Sequence, residues 1–344
     1  MELSVVVSTL NDREQLLSCL DALAEHTPAT TEVIVVNGPS SDGTTGVVRD
    51  RPDVDVLVEI SERNANVSRN VGFSVATGDV IAFLDGSYAV EPTWHQAIEQ
   101  ARADGTDVVT GPAVTAGEPI QSPDETDADT TTAAGAASTA TPSSSPSTPS
   151  TPSEPSHPAA IDGPAQPHTK TIAGRSITLI NGDNVAFDRT VLDALDGFDE
   201  YLETGGDRDC AHRIAGLGFD TNWRHQMAVR TELGADGGTM TELDWGTTYR
   251  ALSYRLAKNY GPRPTVVART VGSALRDGFS GARRIVSGEV TPTGWLSDGT
   301  DVVQNAARGF VDGTRARYGD RTAQRNPNGI SVRHDRAVRV YDRR

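Results

Sequence analysis

Cysteine, methionine, lysine and aromatic side chains are all scarce in this chain. Of 344 residues two are Cys and three are Met, and Trp, Tyr and Phe together make up 5%. Cys19 and Cys210 stand far apart in sequence, which excludes a thiolate metal centre, a redox pair and a disulfide framework, and leaves two small buried hydrophobes in a reducing compartment. No run approaches the ~20 apolar residues needed to cross a bilayer. The pattern is already that of a strand at Leu3, so neither a basic n-region nor an apolar h-region precedes it; no export signal is expected, and a cytoplasmic setting follows. Lys170 and Lys258 are the only lysines among 31 basic residues, against 47 acids and a formal charge of -16. A surface of that sign repels nucleic acid, and no nucleic-acid partner is expected.

What the chain does have is periodicity. With 36% apolar residues it can bury one large core or two modest ones. Leu3 to Ser8 is an apolar run, and Leu16, Leu17, Leu20, Leu23 and Ala24 then recur at helical spacing, with Asn11 as the expected N-cap. Strands follow over Glu32 to Val36, Val54 to Ile60 and Val80 to Leu84, with a helix from about Val67 to Ala76 between the last two. Continuous apolar strands separated by helices predict an α/β, doubly wound, mostly parallel sheet flanked by helices, whose ligands bind beyond the carboxyl ends of the strands. From 116 to 170 the composition collapses into Thr, Ser, Pro, Ala and Asp, which cannot bury enough apolar surface to order itself. This reads as a disordered insertion inside one domain, because a strand pattern resumes at Ser176 to Ile180. Residues 241–344 read as a helical C-terminal extension, with a turn signal in RNPNG at Arg325–Gly329 and a short strand suggested by VRVYD near the end. The Asp-rich, Lys-poor bias resembles proteins of salt-loving archaea; at molar salt the screening length shrinks to ~3 Å, so self-repulsion fades and stability should depend on salt.

Four stretches carry the candidate chemistry. They are VVVSTLNDRE at Val5–Glu14, EVIVVNGPSSDGT at Glu32–Thr44, NANVSRNVGFSVATGDVIAFLDGS at Asn64–Ser87 and NGDNVAFDRTVLDALDGFDEYLETGGDRDCAHRI at Asn181–Ile214. In their order and spacing they resemble the family 2 glycosyltransferases of GT-A fold. The resemblance implies that residues 1–115 hold a nucleotide-sugar donor carrying UDP or GDP and that 171–240 form the acceptor and catalytic half.

Residue by residue, the resemblance implies that Thr9, Asn11, Asn37 and Asp42 surround the nucleotide, although NGPSSDG read without the other motifs is simply a turn. The family usually has Asp where Asn37 stands. Arg69 is implied to pair with the donor diphosphate, and Gly72 to let helix and strand approach closely. Asp85 matches the first acid of the family's DxD motif, which holds Mg²⁺ or Mn²⁺ against the diphosphate; Ser87 replaces the second. Asp207 occupies the position of the general base of an inverting transfer, with Gly206 where Glu is common. Asp209 and Arg213, one helical turn apart, are expected to form a supporting ion pair. Gly182, Asp183 and Asn184 are implied to line the acceptor or donor-sugar side.

The expected activity is transfer of a sugar to a glycan or a lipid-linked acceptor. Ser87, Asn37 and Gly206 sustain a competing expectation, a nucleotide-sugar-binding relative or scaffold without turnover. A nucleotidyltransferase would carry a Gly-rich basic loop near the amino terminus, and Leu10 to Glu14 lacks one. Near the carboxy terminus, Val271, Leu275, Phe279, Ala282 and Val286 share one helical face opposite Arg269, Arg276, Arg283 and Arg284. Such a helix suits peripheral contact with an anionic membrane surface, or plain packing on the domain.

Overall fold

In the computed structural model the described residues are 1–115, 169–172, 174–231, 245–272 and 292–344. The first half alternates strand and helix: β1 (Leu3–Thr9), α1 (Arg13–His26), β2 (Glu32–Asn37), α2 (Thr44–Arg49), β3 (Val56–Ile60), α3 (Ala65–Val75), β4 (Val80–Asp85), β5 (Ala89–Val90), α4 (Trp94–Ala103), β6 (Val108–Thr110) and β7 (Ala113–Thr115). The second half holds β8 (Thr169–Ile172), β9 (Arg175–Thr178), β10 (Asn184–Asp188), α5 (Arg189–Leu195), α6 (Gly206–Leu217), β11 (Thr221–Trp223) and β12 (Val229–Thr231). After these come α7 (Trp245–Tyr260), a helical stretch over 264–272, α8 (Pro292–Gly319) and β13 (Ala337–Asp342).

Eight strands form the central sheet in the order β11-β6-β10-β4-β1-β2-β3-β13. The pairs β1–β2, β1–β4, β2–β3 and β6–β11 are parallel, whereas β10 runs antiparallel to both β4 and β6. Successive side chains of β1 point to opposite faces, and both faces are covered. Val5 and Val7 pack with Leu16 and Leu20 of α1 and with Trp94 of α4. Val6 packs on the other face with Val67 and Val71 of α3 and with Cys210 and Ala211 of α6. This double burial makes the strands read as unbroken apolar runs. Phe83, Phe187 and Phe198 meet edge to face at 5.2 to 6.1 Å and tie β4, β10 and the loop before α6 into one core. At Gly72 a Cβ would stand 2.1 Å from Cγ1 of Val6, so α3 can press onto β1 only because that position has no side chain.

Four expectations need correction. Asn11 is not the cap of α1: it takes a left-handed φ of 58°, and Asp12 occupies the cap position without a side-chain capping bond. The amide of Arg13 instead donates to Asp42 Oδ2 at 3.0 Å, so the next loop caps the helix. The insertion assigned to 116–170 overruns by two residues, because Thr169 and Lys170 pair with Thr178 and Ile177 across β8 and β9; the remainder lies outside the described residues. Within 241–344 the short strand expected at VRVYD is present but begins one residue earlier, at Ala337, and as β13 it is an antiparallel partner for β3 at the sheet edge. The fourth concerns Asn184 and belongs to the site. Of the proposed basic helix, Val271 and Arg269 lie on an exposed helical stretch, while Leu275, Arg276, Phe279, Ala282, Arg283, Arg284 and Val286 fall outside the described residues. Among the described residues no helix is long and apolar enough to cross a membrane.

Candidate active site

Parallel registry brings the carboxyl ends of three strands to one level. Thr9 pairs with Asn37, and Ser8 pairs with Asp85, so the three candidate positions form a row at the end of β2, β1 and β4. The Thr9 hydroxyl is buried there with no hydrogen-bond partner in the structure, an arrangement that costs energy unless a ligand completes it. Beside the row opens a cavity of about 550 Å³ lined by Asn11, Asp12, Arg13, Asp42, Ser87 and Arg230 among others.

The loop after β2 is held by its own side chains. Buried Asn37 accepts from Ser40 Oγ at 2.6 Å and donates to Thr45 Oγ1 at 3.0 Å, which in turn donates to Glu59. Asn11 Oδ1 accepts the Ser41 amide at 2.8 Å. Asp42 accepts the Thr44 amide and hydroxyl on one oxygen and the Arg13 amide on the other. Asn37 and Asp42 thus shape the loop, and Asn11 and Asp42 also border the cavity. Desolvation raises the Asp42 carboxyl, but the bonds from Thr44 and Arg13 together outweigh it and hold the group below the usual range.

Asp85 ends β4 half-buried. Its Oδ1 accepts the Ser87 amide at 2.9 Å and the Ser87 hydroxyl at 2.6 Å, and its own amide donates to the Asp183 carbonyl at 3.1 Å. Its second carboxylate oxygen makes no hydrogen bond to a described residue. Asp183 Oδ1 accepts Arg69 Nη2 at 2.6 Å. Burial raises the Asp183 carboxyl, Arg69 opposes this, and the neighbouring charge of Asp85 raises it further. Two carboxylates that repel one another, one with an uncommitted oxygen, suit a hard cation that draws its other ligands from diphosphate and water. Among the described residues no group of three or more His, Cys, Asp or Glu is placed to hold a metal by itself.

Arg69 is spent within the protein: besides Asp183 it donates to Asn66 Oδ1 at 3.2 Å and lies over the Phe198 ring. Gly182 links this group to the base candidate, since a Cβ on Gly182 would stand 3.0 Å from the Asp207 Cβ and 3.2 Å from Arg69 Nη2. Asp85, Asp183, Arg69, Gly182 and Asp207 therefore form one continuous wall. Asp207 lies in the first turn of α6, half-buried, with no hydrogen bond or ion pair to another described residue. Preceding it, Gly205 takes a φ of +70°, and buried Gly206 sits so close to Asn66 that a Cβ would meet its amide at 2.3 Å. The position where Glu is common is closed here by Asn66, which donates to the Asp199 and Leu202 carbonyls.

Asn184 faces away from this wall. It is fully buried, its Oδ1 accepts the Trp94 indole N–H at 2.8 Å, and its Nδ2 donates to the Met227 carbonyl at 2.7 Å. It joins β10 to α4 and to the loop before β12, and is not a sugar contact; a polar residue beside Gly-Asp reads alike in either role.

Beneath the first turn of α6 the expected Asp209–Arg213 pair is present, as one part of a larger buried ion network whose other members sequence reasoning missed. Asp209 accepts from Arg213 Nε at 2.9 Å, Lys258 Nζ at 2.7 Å and Asn259 Nδ2 at 2.8 Å. Lys258 also reaches Asp199 at 2.6 Å, which accepts the Tyr254 hydroxyl and Asn328 Nδ2. Arg213 donates its remaining nitrogens to the Leu195 and Gly197 carbonyls. Burial alone would raise the Asp209 carboxyl, but Lys258 and Arg213 more than offset it and hold it well below the ordinary range. The one available signal was Lys258 itself, a lysine in a chain that otherwise uses arginine.

His212, on the same helix, shares a 2.7 Å hydrogen bond between Nδ1 and the Tyr260 hydroxyl. Burial first, and the Arg255 charge second, hold its imidazole down to about 3. Unfolding lets this ring take up a proton below its ordinary value near 6.5, so between there and about 3 the unfolded chain binds more protons and stability falls as pH falls. Urea melts at pH 7 and pH 5 should show that loss, and His212→Gln should flatten it.

Residues 4–126 match the family model described as Glycosyl transferase family 2. The chain is 29% identical over 115 residues to glycosyltransferase AglE of Haloferax volcanii, covering 31% of this chain and 38% of that one. It is 30% identical over 112 residues to the glycosyltransferase YibD of Escherichia coli, covering 31% and 32%. The matched stretch thus spans about a third of the length of each of these relatives. Among solved structures, S. aureus TarS 1-349 in complex with UDP-GlcNAc aligns over 93% of this chain and 91% of that one, at 16% identity and a TM-score of 0.54. The mannosyltransferase PcManGT from Pyrobaculum calidifontis, in complex with GDP-Man and Mn²⁺, aligns over 90% and 87%, at 16% identity and a TM-score of 0.50. Fold, motif order and family match agree: residues 4–126 are similar to the family 2 glycosyltransferases, and the chain is built on a GT-A fold.

Proposed function

We propose that the protein transfers a sugar from a UDP- or GDP-sugar to an acceptor hydroxyl, on a glycan or a lipid-linked acceptor, with inversion at the anomeric carbon. The observation that carries this reading is the wall from Asp85 through Asp183, Arg69 and Gly182 to Asp207, which sets an uncommitted carboxylate across from the strand ends. In this reading the Thr9 hydroxyl and the loop from Asn37 to Asp42 receive the nucleotide. Arg69 fixes Asp183, and Asp207 takes the proton of the attacking hydroxyl from the side opposite the diphosphate. Asp85, with Asp183, would hold Mg²⁺ or Mn²⁺, whose chemistry is to neutralise the charge of the leaving diphosphate. Support for that donor and metal comes from the nucleotide sugars and the Mn²⁺ of the structural neighbours.

The test is a screen of UDP, GDP and their sugars by thermal shift in high salt with Mn²⁺, followed by product analysis. A ligand at 100 times its dissociation constant adds about 2.7 kcal/mol of stability. Stabilisation by a nucleotide sugar and a product of inverted configuration are expected; no stabilisation by any of them would overturn the reading. The bonds of Ser87 to Asp85 and of Arg69 to Asp183 favour a second reading, donor binding without turnover, which would give stabilisation but no product.

The salt-adapted, cytoplasmic setting is part of the same proposal. With 16 uncompensated negative charges, the unfolding midpoint should climb steadily as KCl rises from dilute buffer into the molar range. A midpoint independent of KCl would remove the salt adaptation.

A further inference from the structure

Resting on the reading of Asp207 as the acceptor-side base, we propose that the acceptor carries a phosphate group and that Lys170, Arg208, Arg255 and Arg269 bind it beside Asp207. Several arginines around the site are paired with carboxylates: Arg69 with Asp183, Arg213 with Asp209, Arg250 with Asp312. These four cations make no ion pair or side-chain hydrogen bond with any described residue, and they stand on separate elements, near enough for the charges of Arg208, Arg255 and Arg269 to act on Lys170. Arg208 follows Asp207 on α6 and is exposed. Arg255, on α7, lays its guanidinium against the turn that begins α6, with Nη1 2.6 Å from where a Gly205 Cβ would stand. Its Nε is shut off from solvent with no hydrogen-bond partner. Lys170 sits exposed on β8, whose hairpin lies along α6 through Arg175 and the His212 carbonyl, and Arg269 is exposed on the helical stretch after α7.

The four positive groups repel one another across this spot. Burial first, then Arg208 and Arg269, bring the Arg255 guanidinium down to about 10, with Asp207 and Asp209 opposing. Burial and the charges of Arg208, Arg269 and Arg255 likewise lower Lys170. Four cations outnumber the one uncommitted carboxylate beside them, Asp207, so the fold gains when an anion neutralises the remainder. One carboxylate would leave most of the cluster unanswered, whereas a phosphate monoester brings close to two negative charges and a run of phosphodiesters one on each linkage, and guanidinium forks match phosphate geometry. The donor diphosphate is assigned to the Asp85 side of Asp207, and this cluster flanks the Gly205 side. The rest of the surface repels anions, so the cluster also confers selectivity.

Binding of farnesyl phosphate, farnesol, a short glycerol-phosphate oligomer and glycerol, measured by calorimetry at fixed salt with saturating UDP or GDP, tests this. Saturating nucleotide keeps the probes off the donor site. The wild type should bind a phosphate-bearing probe at least tenfold more tightly than its neutral counterpart, and which of the two phosphate probes wins identifies a lipid or a polymer source. The surface variant Arg208→Gln/Arg269→Gln should lose at least tenfold of that affinity with nucleotide binding unchanged. Equal affinity for phosphate and neutral probes, or an unaffected variant, would overturn the proposal while leaving the donor reading intact. Phosphate binding without any nucleotide binding would instead overturn the glycosyltransferase reading, and the acceptor role with it.

Discussion

Asp207→Asn should lower the rate of sugar transfer by roughly 10²–10⁴-fold while leaving donor affinity within about twofold of the wild type. The exchange keeps size and shape against Gly182 and removes only the oxygen able to take a proton. Nothing in the described structure holds the Asp207 side chain in a hydrogen bond, so no packing interaction is lost with it. Thermal shift with UDP or GDP reports donor binding, and radiolabelled transfer reports turnover; the two together separate a base from a residue that merely binds. Full transfer by the variant would end the assignment. Loss of donor binding along with transfer would move Asp207 to the donor side of the site.

Lys258→Met should cost about 3–5 kcal/mol of stability, the usual penalty for removing one partner of a buried ion cluster. Its ammonium, fully buried, lies within 2.7 Å of both Asp199 and Asp209, and without it the two carboxylates face each other with Arg213 as the remaining cation. The expected fall in unfolding midpoint is roughly 6–20 °C. The other lysine provides the control: Lys170 is exposed, and Lys170→Met should leave stability within about 0.5 kcal/mol. Because the cluster sits two residues beyond Asp207, a Lys258→Met protein assayed below its melting point should also transfer more slowly. Equal stability of the two variants would show that Asp199 and Asp209 find other partners.

The central strands were legible because each is buried on both faces. Val5, Val6 and Val7 are all fully covered, and polar interruptions such as Ser4 in β1 and Glu59 in β3 are single residues that leave the apolar pattern readable. The two- and three-residue strands β5, β6, β7, β11 and β12 were not, since so short a run carries no periodicity against which to read it. Family motifs located Asp85, Asp183 and Asp207, yet could not say that Arg69 is already committed to Asp183 or that Asn184 is satisfied by an indole from α4. Those facts depend on partners about 90 to 114 residues away in sequence. The network around Lys258 escaped for the same reason: Asp199, Asp209 and Asn328 meet only once α6, α7 and the turn at Arg325–Gly329 are packed together.

The pairing of β13 with β3 gives synthesis of this protein a late closing step. Tyr341 and Glu59, neighbours across that ladder, are 282 residues apart, so a growing chain displays β3 long before its partner leaves the ribosome. In that interval a row of unpaired amides and carbonyls lines the open edge of β3, a template on which another chain can dock. A protein shortened before Ala337 would keep that edge for good, and its characteristic fault would be clumping rather than loss of chemistry.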